Sequence, residues 1–133
     1  MKKYKSTDLA KLKRKLEIIF NQYIRLRDCH DGIGTCISCN KTYGIDKLQA
    51  GHFWSKGAYP ALRFDERNVN SQCGGCNTFR HGAIGEYRIG LVKKLGQEVV
   101  DQLEQDRNAP RKYTVYDLLE LIEIYQNRVK ELS

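Results

Sequence analysis

Two Cys-x-x-Cys pairs, Cys36 with Cys39 and Cys73 with Cys76, bracket the segment 40–72, and that segment holds a single histidine, His52. Two residues between cysteines let both thiolates of one turn reach a common ion. Two such turns complete the tetrahedron that zinc prefers, with sulfur at ~2.3 Å. Disulfides are the competing reading in an oxidising compartment, and a redox dithiol would expect one pair in a βαβ setting, not two pairs flanking a loop. A four-cysteine zinc site is closed and leaves no open position, so it serves as scaffold and not as catalyst. The fifth cysteine, Cys29, has no partner in sequence and reads as a small half-buried residue. His52 is the group inside the clip that can move a proton. Imidazole titrates near 6.5, so it can accept a proton from water at neutral pH. A lone histidine beside an aromatic residue also serves as a satisfied structural group.

Such groups need a platform, and the flanks supply helices. Leu9, Leu12, Leu16, Ile19, Phe20, Tyr23 and Leu26 recur at spacings of three and four, which predicts a helix over 6–28 with Ser6 or Thr7 as its cap. Residues 1–5 form a basic tail. Lys11, Lys13, Arg14 and Lys15 fall mostly off the apolar stripe, as a solvated face or a phosphate-facing one. "CHDGIGTC" breaks the helix with two glycines. "TYGI" and "LQAGHFW" are strand-like in content. "SKGAYPALRFDERNVNSQ" reads as a long loop, a kind of segment that is usually functional or disordered; its aromatic and aliphatic residues argue against disorder. Tyr87, Leu91 and Leu95 recur every four residues and Gly96 stops that helix. "QEVVDQLEQ" gives a short helix and "NAPRKY" a connector. Thr114 and Asp117 resemble a capping box, opening a helix with Leu118, Leu119, Ile122, Tyr125 and Val129 on one face. The expected class is α+β in one domain over 1–133. A cysteine-clipped, β-rich core over 36–81 is flanked by the 6–28 helix and a helical part over 84–132.

The chain has 133 residues and 41% hydrophobic content, in keeping with a soluble fold. Its 23 Lys and Arg against 16 Asp and Glu leave a net charge of +7, which favours an anionic partner, with nucleic acid the first choice. "MKKYKSTDLAKLKRK" has no apolar core of a signal peptide, and no stretch approaches the ~20 apolar residues of a membrane span. The expected location is the cytoplasm. Lys56, Arg63, Arg67 and Arg80 lie near the histidine in sequence and suit phosphate contacts. Trp54 and Tyr59 suit stacking on unpaired bases, or core packing.

The order His52, Asn68, Cys73-x-x-Cys76, Asn77 resembles the HNH endonucleases, which share a ββα-metal core. The blocks "LQAGHF", "ALRFDERN", "QC..CN" and "EYRIGL", then "LGQEVVDQLE", resemble the phage recombination endonuclease family NinG, also called Rap, across residues 9 to about 130. That resemblance implies a ββα-metal, HNH-like core and a metal-dependent endonuclease acting on branched DNA, such as junctions or D-loops, inside the bacterial host. It makes His52 the general base and Asn68 the brace of its loop. Asn77 takes the position that holds a single divalent cation, Mg2+ or Mn2+, beside the departing 3′ oxygen. His81 joins Asn77 by spacing alone, if 77–81 is helical. Many HNH enzymes place a metal-binding Asp or His just before the catalytic histidine. Here that residue is Gly51, so another oxygen is needed. Glu66 is the first choice, with Asp65, Asp46 and Glu86 as further candidates. By the same resemblance the chain is shorter at its N-terminus than some relatives and lacks an accessory segment. A homodimer and recombination proteins stay open as partners. The alternative function is a non-catalytic zinc ribbon that binds nucleic acid.

Overall fold

Helix α1 runs over Ser6–Asp28 and buries one stripe, Leu16, Phe20, Tyr23 and Ile24. A computed structural model describes residues 6–133, with side chains from residue 8 onward; the basic tail and the Ser6 or Thr7 cap lie outside the described residues. The stripe packs against Leu118, Ile122 and Tyr125 of the last helix, Val115–Leu132. Phe20 meets Tyr125 edge to face at 4.9 Å. Each such fully buried large side chain contributes roughly 1.5–3 kcal/mol. The capping box of the last helix forms: Asp117 N donates to Thr114 Oγ1 at 3.1 Å, and Thr114 N donates to Asp117 Oδ2 at 3.0 Å.

The breaker segment after α1 is itself structured. Strands β1, Cys29–His30, and β2, Ile33–Thr35, form a hairpin, and β3, Thr42–Gly44, adds beyond β2. Asp31 and Gly32 turn the hairpin with φ of 52° and 76°, the mirror-image geometry that an Asp-Gly pair accommodates. Strand β4, Leu48–His52, pairs antiparallel with β5, Val69–Cys73. The register sets Leu48 opposite Cys73 and His52 opposite Val69. One end of this ladder therefore carries a cysteine of the clip and the other carries the histidine.

The long loop expected over 55–72 is shorter than that, because residues 69–73 are strand. All of β5 is buried, although Asn70, Ser71 and Gln72 are polar. Distant groups take up most of their hydrogen bonds, while Ser71 Oγ and Gln72 Oε1 stay buried without a partner among the described residues. Arg27 Nη2 and Lys94 Nζ donate to Asn70 Oδ1, Ser71 N donates to Asp28 Oδ2, and Gln72 Nε2 donates to Ser38 Oγ and the Gly82 carbonyl. After β5 the chain makes a π-helical turn, Gly75–Phe79, and left-handed backbone at His81, Gly82 and Ala83 ends it. The helical turn thus stops at Phe79: Asn77 lies in it and His81 does not, so the condition of a helix over 77–81 is met only in its first part. Helices α2, Ile84–Leu95, and α3, Gln97–Asp106, follow, separated by Gly96 with φ 94°. The last helix, Val115–Leu132, is α4. Tyr87, Leu91, Val100 and Leu103 of α2 and α3 form a second core with Phe53 and Leu62. Helix α2 lies so close to the first cysteine turn that a Cβ at Gly90 would sit 1.9 Å from the Ile37 carbonyl oxygen. The chain is α+β, with the cysteine cluster between its strands and α2. No helix among the described residues is long and apolar enough to cross a membrane.

Candidate metal centre and histidine cleft

Cys36 follows β2 and the chain folds back at once. Cys36 N donates to the Lys41 carbonyl, Asn40 N donates to the Cys36 carbonyl, and Asn40 takes the left-handed φ of 62° that such a turn needs. Each pair makes the same internal contact: Cys39 N to Cys36 Sγ, and Cys76 N to Cys73 Sγ, both 3.4 Å. Backbone N–H groups aimed at sulfur favour thiolate over thiol. The four ligand atoms all lie within 4.8 Å of one another, and Cys39 and Cys73 Sγ are 3.9 Å apart. A tetrahedron with zinc–sulfur bonds of ~2.3 Å places its sulfurs about 3.8 Å apart, so the donor set fits one ion such as zinc. Burial pushes the Cys36 and Cys76 thiols up. Burial pushes on Cys73 too, yet the Cys76 N–H, Tyr43 and the neighbouring thiols together draw it down to about 6. Cys29 stands apart from the cluster in β1, half-buried.

At the other end of the ladder, His52 lines an open cleft of about 870 Å³. Its Nε2 lies 2.9 Å from the Arg63 carbonyl. A carbonyl only accepts, so Nε2 carries the proton, and Nδ1 of the neutral ring is left as an acceptor with no partner among the described residues. Burial, the largest influence, holds the ring's pKa below its ordinary value; Lys56 and Arg63 act in the same sense, while the Arg63 carbonyl and Glu17 oppose them. His52 is thus neutral at pH 7.

Asn68 is fully buried behind the cleft. Its Nδ2 donates to the Trp54 carbonyl at 2.9 Å and the Leu62 carbonyl at 3.1 Å, and its Oδ1 accepts from Trp54 N at 2.8 Å. It therefore ties both sides of the loop that presents the Arg63 carbonyl. Asn77 and His81 line the same cleft as His52, although the helical turn ends between them. Asn77 Nδ2 donates to Gln49 Oε1 at 2.7 Å, which leaves its Oδ1 for a cation.

Other expectations need correction. The Glu66 carboxylate accepts from Tyr23 Oη, Tyr125 Oη and Arg128, which hold it against α1 and α4 and away from the cleft lining. Asp65 is bound by Arg67, Glu86 by Arg80, and Asp46 lines a different groove beside Cys73. None of the four candidate carboxylates lines the His52 cleft. Arg67 bridges Asp65 and Asp106, so its fork is filled by protein acids. Arg63 and Lys56 both meet Glu17, and Arg80 meets Glu86 at an exposed site where such a pair is weak and exchangeable. Trp54 packs against Phe53 and Tyr59, with Arg107 over its ring at 4.8 Å, so it serves the core first. Gly51 has a packing reason. A Cβ there would meet Gln72 Oε1 at 2.1 Å and Gln72 Cβ at 3.1 Å, so the place of an HNH metal ligand is filled by a buried neighbour.

Glu17 is the residue that the sequence reading missed. It is the one carboxylate lining the cleft among the described residues. On α1 it looks like one acid among surface lysines, and its partners lie far along the chain.

The family model described as the bacteriophage lambda NinG protein matches residues 1–133. Over 112 residues the chain is similar to protein ninG of Escherichia phage 933W at 39% identity, of Escherichia phage lambda at 38%, and of Salmonella phage P22 at 37%. Each alignment covers 84% of this chain and 52–53% of the relative, so the chain spans about half the length of these curated proteins. No solved structure matches. With the match running the full length of its sequence, the chain belongs to the NinG family of phage proteins.

Proposed function

We propose that this chain is a metal-dependent endonuclease of HNH type that hydrolyses phosphodiester bonds in branched DNA, with His52 as general base. The observation that carries this reading is His52 itself: its Nε2–H is spent on the Arg63 carbonyl, and it shares a cleft with Asn77 and His81. With that tautomer held and the ring kept neutral by burial, Nδ1 takes the proton of a water poised in line with the phosphorus. Asn68 keeps the loop, and so the ring, in place. Asn77 and His81 would hold a divalent cation; as neutral donors they leave Mg2+ or Mn2+ to draw its negative oxygen ligands from substrate phosphate and the rest from water. When bound, that ion relieves charge on the leaving 3′ oxygen. Zinc on the four cysteines anchors the far end of the β4–β5 ladder. The net charge of +7 and the cleft-lining Arg25 and Lys56 favour a polyanion. Branch recognition by shape, a homodimer on symmetric junctions and recombination partners complete the proposal.

One observation favours a second reading, a zinc ribbon that binds nucleic acid without cutting. Gly51 offers no ligand, and the cleft's carboxylate is already paired. The deciding experiment incubates wild type and His52→Ala with a four-way junction, a flap and a linear duplex in Mg2+ or Mn2+. The endonuclease reading expects cutting of branched substrates by wild type alone. Binding by both variants with no cutting by either refutes it.

A further inference from the structure

Glu17 stands on α1, and its two carboxylate oxygens go to two residues of the 53–68 loop. Oε1 meets Lys56 Nζ, and Oε2 accepts from Arg63 Nη2 at 3.3 Å. The Glu17 and Arg63 side chains are each only 23% exposed, so solvent screens this contact incompletely. Arg63 is also the residue whose carbonyl takes the Nε2–H of His52. A continuous relay thus runs from the α1 carboxylate through the guanidinium and backbone of Arg63 to the imidazole. The other ties on this stretch hold neighbouring groups: Asn68 binds the Leu62 carbonyl, and Arg63 N reaches back to the Pro60 carbonyl at 3.3 Å. Those backbone ties, with Asp65 N on the Leu62 carbonyl at 3.2 Å, hold the turn but not the guanidinium, whose other contact is the Phe64 ring at 5.3 Å; without Glu17 the Arg63 side chain keeps that ring alone among the described residues, and its carbonyl loses its tie to α1.

We propose that Glu17 is a positioning residue: it fixes the Arg63 carbonyl from α1 and thereby sets the tautomer and orientation of His52. Helix α1 is then part of the working site and not only a packing arm. It follows that Lys56 and Arg63 are held by Glu17 in the free protein, and that a phosphate drawing on the half-exposed Lys56 competes with Glu17 for it. The catalytic consequence rests on the endonuclease reading above, whereas the link to the ring does not.

The test uses the full zinc-loaded chain. Long-range 1H–15N NMR of the His52 ring at pH 8 reads the tautomer directly, and zinc content with helical circular dichroism monitors the fold. Wild type is expected as the Nε2–H form. Glu17→Gln and Arg63→Ala are expected to show mixed tautomers with zinc and helix content unchanged, and the double variant to add nothing beyond either single. On a junction, kcat is expected to fall on the order of 10- to 100-fold with KM unchanged, as for loss of a positioning contact. Glu17→Gln keeps the side-chain size, so it stays decisive even where Glu17→Ala fails to fold. A single Nε2–H tautomer in both Glu17→Gln and Arg63→Ala overturns the proposal. A wild type that cuts nothing refutes the endonuclease reading alone, because the ring spectrum still decides the clamp.

Discussion

Removing the side chain of Asn68 puts a measurable strain on the loop behind His52. Asn68→Ala deletes three hydrogen bonds at once: Trp54 N–H and the Trp54 carbonyl lose their partner, and the Leu62 carbonyl is left with Asp65 N, at 3.2 Å. A buried polar group left unpaired costs about 1–3 kcal/mol. The buried Leu62 carbonyl keeps one donor and loses only its second bond, worth about 1 kcal/mol. Trp54 is half-buried, and its two groups rehydrate in part, which places them near the bottom. The sum is about 3 kcal/mol, a large share of the ~5–15 kcal/mol that holds an ordinary domain together. Trp54 is the chain's one tryptophan, so its fluorescence reports the loop, while circular dichroism reports α1 and α4. Urea titrations should show the midpoint falling in both signals, by that free energy divided by an unchanged slope. A variant within ~1 kcal/mol of wild type by both probes would refute the bracing role of Asn68.

Further expectations test the remaining links. Because folding lowers the pKa of His52, the unfolded chain takes up its proton first; the stability this ring contributes is complete above ~6.5 and fades as pH falls through the lower folded value. The pH dependence of unfolding should therefore flatten between pH 7 and 5 in His52→Gln, and junction cutting by wild type should keep its acid limb below 6.5; identical pH profiles for the two proteins would contradict the buried neutral ring. Gly51→Asp should cost about 1–3 kcal/mol by displacing the buried Gln72 side chain and gain no Mg2+ affinity, as thermal melts and calorimetry would show. Glu66→Gln should loosen the α1–α4 anchorage by about 1–2 kcal/mol with cutting per folded molecule unchanged; a tenfold loss of cutting would return Glu66 to the cation site. Cys36→Ser with Cys73→Ser should abolish stoichiometric zinc and lower the melting temperature, and retention of both properties would exclude the scaffold role.

Much of the helical frame was legible from spacing alone. Leu16, Phe20 and Tyr23 on α1, and Leu118, Ile122 and Tyr125 on α4, recur at three and four residues and are buried, joined by Ile24, which that stripe left out. The cysteine pairs were legible because metal chemistry fixes their spacing. Strand β5 was not. "VNSQ" carries turn-forming residues, and its burial depends on Arg27, Asp28, Ser38 and Lys94, all distant in sequence. The helical turn at Asn77 does not reach His81, since three successive left-handed residues at 81–83 close it. Glu66 looked like a cation ligand by its neighbours in sequence, whereas its partners come from helices on either side of the chain's middle. Glu17 was invisible for the same reason in reverse: nothing within α1 marks it off from a solvated acid.

The contact at Gly90 bears on how this architecture tolerates change. In the middle of a helix a glycine is ordinarily a weakness that alanine repairs, by up to ~1 kcal/mol. Here even a methyl group would land on the Ile37 carbonyl oxygen. The repair would pry helix and cysteine turn apart, so what joins them is an empty space the width of a hydrogen atom. Drift among descendants of this chain can rewrite much of that helix's outer surface, while the one spot with no side chain at all stays closed to revision.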